Sequence, residues 1–409
     1  VRYIGNKTRL LPFIADALRR RRIAPGRALD AFAGTAAVGS HLKRAGFAVV
    51  GCDLMTYSYV LQHAYIVADA YPTFAGLGDI VDLDAPVPIE SATRSRPGRP
   101  VPPPPAAARP LASVLAHLQA TVPPRASFIT THFSTDIDPL DDQCGDTRGG
   151  TGCGIGGGIG GGTVSTDGAP SRMYFTRANA ERIDAVRETL HDWHAERRVT
   201  DVEYYILLAA LLEAADCVAN TSGVYAAYLK RWQSNARRPL RLAMPALVVA
   251  SGRECHAHLG DINALVPGLG AFDLLYLDPP YNNRQYGSYY HVPELLARGW
   301  FGETPALRGK TGLIDTDGQL SQWSVRDRCV DALEELLERS DAAHVVLSYN
   351  SEGIIPEGEI VRLFRAYGLR RSFRREARDY SRYRSDADGA QRRYAASRVT
   401  EYLYSMRRR

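Results

Sequence analysis

An apolar run, Leu274-Leu275-Tyr276-Leu277, ends directly in Asp278-Pro279-Pro280-Tyr281. Neither proline has an N–H to give to a strand ladder, so the chain must leave its sheet at Asp278. The run over 272–277 suits a strand buried on both faces, and such strands belong to parallel sheets covered by helices on both sides. Open sheets of that kind bind ligands outside the carboxyl ends of their strands. The sequence therefore predicts an α/β fold with Asp278 and Tyr281 at a ligand-binding edge. The bland alternative is a proline-rich loop with an incidental acid.

The same architecture recurs at the start of the chain. Helical spacing over 10–20 is followed by a short apolar strand over 28–33. A second helix over 36–45 stops at Gly46, a residue suited to a helix C-terminus, and a strand over 47–52 ends in Asp53. Strand, turn, helix and strand in this order form the unit of a doubly wound, Rossmann-like sheet. The pattern resumes near 246. Strands are expected over 272–277 and 344–349, with a helix over 325–339 between them and a terminal antiparallel pair over 370–378 and 398–406. One sheet is thus built from residues 1–65 and 246–409. Residues 66–245 form a mostly helical insertion, with helices over 178–197 and 202–216. Two biased tracts interrupt it. Nine of the 25 residues over 86–110 are Pro, and 12 of the 24 over 145–168 are Gly. The first is a stiff linker or exposed loop and the second a mobile loop.

Composition narrows the class. With 409 residues and 45% hydrophobic content, the chain can bury a core, and global disorder is excluded. No stretch of apolar residues is long enough to span a bilayer. The opening Val1-Arg2-Tyr3-Ile4-Gly5 has no apolar signal core, which argues against secretion and for a cytoplasmic protein, and the true start need not be Val1. The six Cys are scattered, as in a reducing compartment. Cys144 and Cys153 flank part of the glycine tract without the further ligands a metal would need, so no metal is expected. Net charge is only +5, but just four of the 50 cationic residues are Lys (Lys7, Lys43, Lys230 and Lys310). Codon bias explains that; Arg nevertheless grips phosphates and base edges with two hydrogen bonds at once. Residues 362–409 hold 15 Arg against five acids, either as solvated strand faces or as a phosphate-facing surface.

Two motifs carry chemistry. In Asp30-Ala31-Phe32-Ala33-Gly34-Thr35 a strand runs into a glycine turn and a helix N-terminus, and Asp53 ends the next strand. Small residues admit a ligand close to the backbone, and a carboxylate at Asp53 can accept from both ribose hydroxyls. This is not the GxGxxG fingerprint, so a nucleoside cofactor and a purely structural turn both remain open. The Asp278–Tyr281 tetrapeptide resembles the signature of methyltransferases acting on exocyclic amino nitrogens. An adenine amino group is a poor nucleophile because its lone pair is delocalised into the ring. The Asp278 carboxylate and the Pro279 carbonyl can accept its two hydrogens and aim the lone pair at a sulfonium methyl, with Pro280 shaping the loop. Tyr281 offers a face on which a flipped base can stack. No Pro-Cys dipeptide occurs, which argues against methylation at cytosine C5.

A third element, Arg2-Tyr3-Ile4-Gly5-Asn6-Lys7, gains meaning beside these two. Their order and wording resemble the DNA adenine methylase family, the alpha group of N6-adenine methyltransferases. The resemblance implies S-adenosylmethionine as cofactor. It implies cofactor contacts by Tyr3, Ile4 and Lys7, with Lys7 near the methionine carboxylate; by Asp30, Phe32 and Gly34; by Asp53 at the ribose; by Asp261 at the adenine; and by Asp278. Asp261 could equally be a helix N-cap. Further likeness lies in Asn282-Asn283-Arg284-Gln285-Tyr286 with Tyr290-His291, in Arg172–Thr176 with Asn179, and in Asn220–Gly223 with Tyr225 and Lys230. The family carries its target-recognition domain in this insertion. Double-stranded DNA is the implied partner, contacted by Lys230, Arg231, Arg237, Arg238, Arg284 and Tyr286, with a cognate restriction endonuclease alongside and no membrane. Arg284 could instead bridge within its loop, and His291 could simply pack in the core. Competing readings are N4-cytosine methylation, RNA base methylation and an inactive DNA-binding relic. A nicotinamide oxidoreductase fits least, for want of a glycine fingerprint. The proline and glycine tracts depart from the family pattern.

Overall fold

The computed structural model describes residues 6–85, 105–135, 172–381 and 398–409. The expectations for Tyr3, Ile4, Cys144, Cys153, the glycine tract and most of the proline tract lie outside these residues.

Strands β1 (Arg27–Asp30) and β2 (Ala48–Asp53) come first, joined by the helix Ala37–Arg44. The chain then enters the insertion, whose two-residue strands β3 (Ser134–Thr135) and β4 (Phe175–Thr176) pair only with each other. It returns to the sheet in β5 (His256–Leu259), β6 (Ala271–Leu277), β7 (Asp341–Asn350), β8 (Arg374–Ser381) and β9 (Arg398–Arg407). The sheet runs in the order β5-β2-β1-β6-β7-β9-β8. Its first five strands are mutually parallel, and β9 and β8 close it as an antiparallel pair. From β1 the chain moves to one side, to β2, and from β6 it moves to the other, to β7. The order therefore reverses between β1 and β6, and the crevice at their carboxyl ends is where such folds bind ligands.

Successive side chains of a strand point to opposite faces, and the two cores follow that alternation. Leu274 and Tyr276 of β6 join one buried cluster, while Leu275 and Leu277 join the other. The second cluster is covered by the helices Cys329–Arg339 and Glu357–Tyr367. The first extends from Ala28, Val49 and Val346, through the helices Leu11–Arg20 and Thr56–Gln62, into the insertion. The helix Asp201–Val218 is buried nearly all round, with Leu207, Leu208, Leu211 and Leu212 in that same cluster. Its start is fixed by a capping box between Thr200 and Glu203, and Glu203 also accepts from the Phe74 N–H at 2.6 Å. Insertion and sheet thus share one core, because neither can bury its apolar face alone.

β5 was not expected from the sequence. It is a four-residue edge strand, half-exposed, and His256-Ala257-His258-Leu259 has no apolar pattern to mark it. The expected strand over 28–33 stops at Asp30, where the glycine turn begins, and the helix expected from 325 starts at Cys329. Among the described residues, no helix is long and apolar enough to cross a membrane.

Candidate active site

The glycine turn is held by Asp53. Its Oδ2 accepts from the Gly34 N–H at 2.8 Å and its Oδ1 from the Met55 N–H at 2.9 Å. Gly34 has φ +51 and Ala36 φ +58, so the turn passes twice through the left-handed region. Behind it, Gly39 lets helix and strand approach closely. A Cβ there would sit 2.4 Å from Ile66 Cδ1 and 3.2 Å from Asp30 Oδ2.

Around this turn lies a cavity with about 940 Å³ of empty space, partly open to solvent. Lys7, Asp30, Phe32, Gly34, Asp53, Asp261 and the whole Asp278–Tyr281 loop line it together. Residues far apart in the chain thus meet at the switch point. Asp30 ends β1 and pairs in register with Tyr276, two residues before Asp278. Tyr286, expected at a DNA surface, lines the cavity too and stacks on Tyr290 at 5.9 Å. Asp261 caps the helix Ile262–Leu265, accepting from the Asn263 N–H at 2.9 Å, and also faces the cavity.

The charges are concentrated and buried. Lys7 Nζ lies 3.0 Å from Asp278 Oδ1 and 2.9 Å from Glu401 Oε1, and donates to the Tyr281 hydroxyl. The Tyr281 hydroxyl lies 2.5 Å from Asp278 Oδ1 and 2.9 Å from Glu401 Oε1. Lys7 thus lines the cavity and at the same time engages the Asp278 carboxylate. Tyr281 turns its hydroxyl inward, with its ring edge-on to Tyr349. Burial lifts the Asp278 carboxyl most; Lys7 opposes that and Glu401 adds to it, for a net value of about 6. Burial and then the charge of Asp278 push the Asp30 carboxyl up to about 7. The N–H groups of Gly39 and Phe32 oppose this shift, but neither Asp30 oxygen is met at hydrogen-bond geometry. Burial also raises Asp53, against its two backbone donors. For Lys7, burial is the largest effect and lowers its pKa, but the two carboxylates together leave it raised.

One wall of the cavity was not anticipated. Trp323 meets Phe32 edge-on at 4.9 Å and donates to Asn263. Gln319 donates to the Leu54 carbonyl and to Glu294, while its own carbonyl oxygen is buried without a partner among the described residues. Gln285 and Ser321 exchange two hydrogen bonds, tying this wall to the segment after the catalytic loop. Gln319 and Trp323 sit in short 3₁₀ turns, which leave no periodic signal in the sequence.

The insertion reaches the site through polar clamps. Asn220 accepts from the Gln233 N–H and donates to the Leu229 carbonyl, fixing the stretch that carries Lys230 and Arg231. Asn179 does the same for 236–240, which carries Arg237 and Arg238. The Tyr225 N–H donates to Tyr289, just beyond the catalytic loop. Lys230, Arg231, Arg237, Arg238 and Arg284 are all exposed, and no acid among the described residues pairs with them. Arg284 lies over the Tyr289 ring at 5.5 Å. His291 is buried, with its ring nitrogens at the Ser288 and Thr311 carbonyls, so it packs in the core. Among the described residues no group of three or more His, Cys, Asp or Glu could hold a metal.

Comparison with known proteins agrees with this geometry. The family described as D12 class N6 adenine-specific DNA methyltransferase matches residues 3–78 and 162–362, more than half of the chain. The type II methyltransferase M.FokI of Planomicrobium okeanokoites is 28% identical over 406 residues, covering 99% of this chain and 52% of the relative. The type II methyltransferase M.NlaIII of Neisseria lactamica is 36% identical over 233 residues, 57% of this chain and 66% of the relative. The modification methylase StsI of Streptococcus sanguinis is 27% identical over 370 residues, 90% of this chain and 47% of the relative. The chain thus spans about half the length of M.FokI and StsI. No solved structure matches it.

Proposed function

Since the chain belongs to the D12 class N6 adenine-specific DNA methyltransferase family, we propose that it transfers a methyl group from S-adenosylmethionine to the exocyclic N6 of adenine in double-stranded DNA. The observation that carries the reading is the position of Asp278. It follows the last residue of a central strand, opens into the cavity at the switch point, and shares that cavity with Asp53 and Asp261.

The residues present fit the cofactor. Asp53 suits a ribose, since each of its oxygens uses one backbone donor and keeps capacity for a hydroxyl. Phe32, Met55, Ile262 and Trp323 give apolar walls for a purine. The unmatched carboxylate oxygens of Asp30 suit a cationic group. S-adenosylmethionine supplies an electrophilic methyl on a sulfonium. The work of the chain is then positional. Asp278 and the Pro279 carbonyl accept the two amino hydrogens of adenine and aim its lone pair. Asp278 also takes the proton that N6 sheds after transfer. Tyr281 and Tyr286 give the flipped base aromatic faces. Lys230, Arg231, Arg237, Arg238 and Arg284 hold the duplex by its phosphates, and residues 66–245 read the target. A DNA substrate fits a setting in the cytoplasm at the nucleoid, and relatives named type II methyltransferase or modification methylase support a cognate restriction endonuclease beside it.

Incubation with labelled S-adenosylmethionine and duplex DNA, followed by digestion to nucleosides, tests this. N6-methyladenine is expected. Label only in N4-methylcytosine, or only in RNA, overturns it.

A further inference from the structure

Glu401 lies in β9, outside the residues the family matches and outside every motif of the sequence. It is 5% exposed. Its register partners are Asn350 of β7 and the exposed Arg378 of β8. Its Oε1 accepts from Ser348 Oγ at 2.9 Å and pairs with Lys7 Nζ at 2.9 Å. Tyr281 reaches it at 2.9 Å, and Tyr276 of β6 lies near enough to feel its charge. Two carboxylates, Glu401 and Asp278, therefore share one ammonium and one phenol.

The sharing has a chemical consequence. Asp278 has to accept from an amino group, and an ammonium and a phenol both held on its Oδ1 draw charge away from the carboxylate and weaken it as an acceptor. Lys7 in turn cannot be left without a carboxylate, because an uncompensated buried cation is strongly unfavourable. A second acid in reach of both donors resolves the conflict. Resting on the reading above, we propose that Glu401 is a positioning residue for methyl transfer: it takes the Lys7 ammonium and the Tyr281 hydroxyl from Asp278 as the adenine amino group arrives. Ser348 holds the Glu401 carboxylate in place for that exchange.

The test is Glu401→Gln in the full chain, followed by kcat against pH, calorimetric binding of S-adenosylhomocysteine, and thermal melting. Lys7 then has only Asp278, and the repulsion from Glu401 is gone. Plateau kcat is expected to fall about 10- to 100-fold, as for other small misplacements of reacting groups. Cofactor affinity should hold, and the acid limb should move below its wild-type position. A merely structural role would scale the rate equally at every pH and leave the limb in place. A double-mutant cycle gives a second handle even where the single variant folds poorly. In a Lys7→Met background, adding Glu401→Gln should lower kcat by far less than it does in the wild-type protein, because only the Tyr281 hydroxyl remains to be shared. An unshifted limb with wild-type rate, or a further large loss in the Lys7→Met background, overturns the proposal. N6-methyladenine formation by the wild-type protein in the same assay is scored separately. Its absence overturns the earlier reading, whereas its presence beside an unshifted Glu401→Gln profile overturns only this one.

Discussion

Asp278 is raised by burial to about 6, with Lys7 working against that rise. Its ionised form is the stronger acceptor for an amino hydrogen and the form that can take the proton N6 sheds, so kcat should level off above pH 7. It should fall toward tenfold per pH unit once the pH drops well below 6. A flat profile between pH 5 and 8 would contradict the role of Asp278. Stability moves the other way. Asp30 (about 7), Asp184 (about 6) and Asp278 all have raised folded values, so the native state binds more protons than the unfolded chain between pH 4 and 7. Their contribution to stability is complete below pH 4 and is lost as the pH rises through 6 to 7. The residues behind this chemistry were unequally legible. Asp278 stood out because two prolines force the chain off its strand beside it. Glu401 did not, because one acid in Glu401-Tyr402-Leu403-Tyr404 looks like any solvent-facing strand position. Its meaning depends on Lys7, hundreds of residues away in the chain.

Elements extend that network into the insertion. Asp184, on the helix Arg177–Ala195, accepts from the Ser127, Ile129 and Thr130 N–H groups and from the Thr130 hydroxyl. It thereby caps the short helix Phe128–Phe133 from outside. The end of that helix offers the His132 carbonyl to Arg172, and Arg172 also grips the Gly309 and Lys310 carbonyls. Asp184→Ala leaves buried donors unmet and should cost about 2–4 kcal/mol in urea unfolding at pH 7. A loss below about 0.5 kcal/mol, within the range of an ordinary surface change, would show that the cap is not what holds this helix. Long helices such as Arg177–Ala195 were legible because their apolar residues recur at helical spacing. The Phe128–Phe133 helix is too short for periodicity to mark, and β5 is too exposed.

Across the whole molecule, charge sorts by position on the sheet. Because β9 is antiparallel to β7, the arginines of the terminal pair spread along the sheet: Arg407 pairs with His344, level with Leu274 in the middle of β6, whereas Arg374 pairs with Ser405, level with Tyr276, and Arg378 pairs with Glu401 at the end that carries Asp278. The described terminal arginines therefore do not all lie at one edge of the sheet, a spread that a count of charges along the chain cannot reveal. Glutamine at Lys230, Arg231, Arg237 and Arg238 should flatten the slope of log Kd against log salt, by about 0.9 for each phosphate no longer neutralised. Glutamine at Arg408 and Arg409, which bond the Ser340 and Gly368 carbonyls at the far end of β9 from Glu401, should leave that slope unchanged, and an equal effect there would refute the assignment. The central claim, that Asp278 at the switch point performs amino-group methylation, is tested most directly by Asp278→Ala. Labelled methyl transfer to duplex DNA and calorimetric binding of S-adenosylhomocysteine are measured on the same preparation. The account predicts transfer reduced at least a hundredfold, as when a key transition-state interaction is removed, with cofactor binding still measurable. Near-normal turnover in that variant would contradict it.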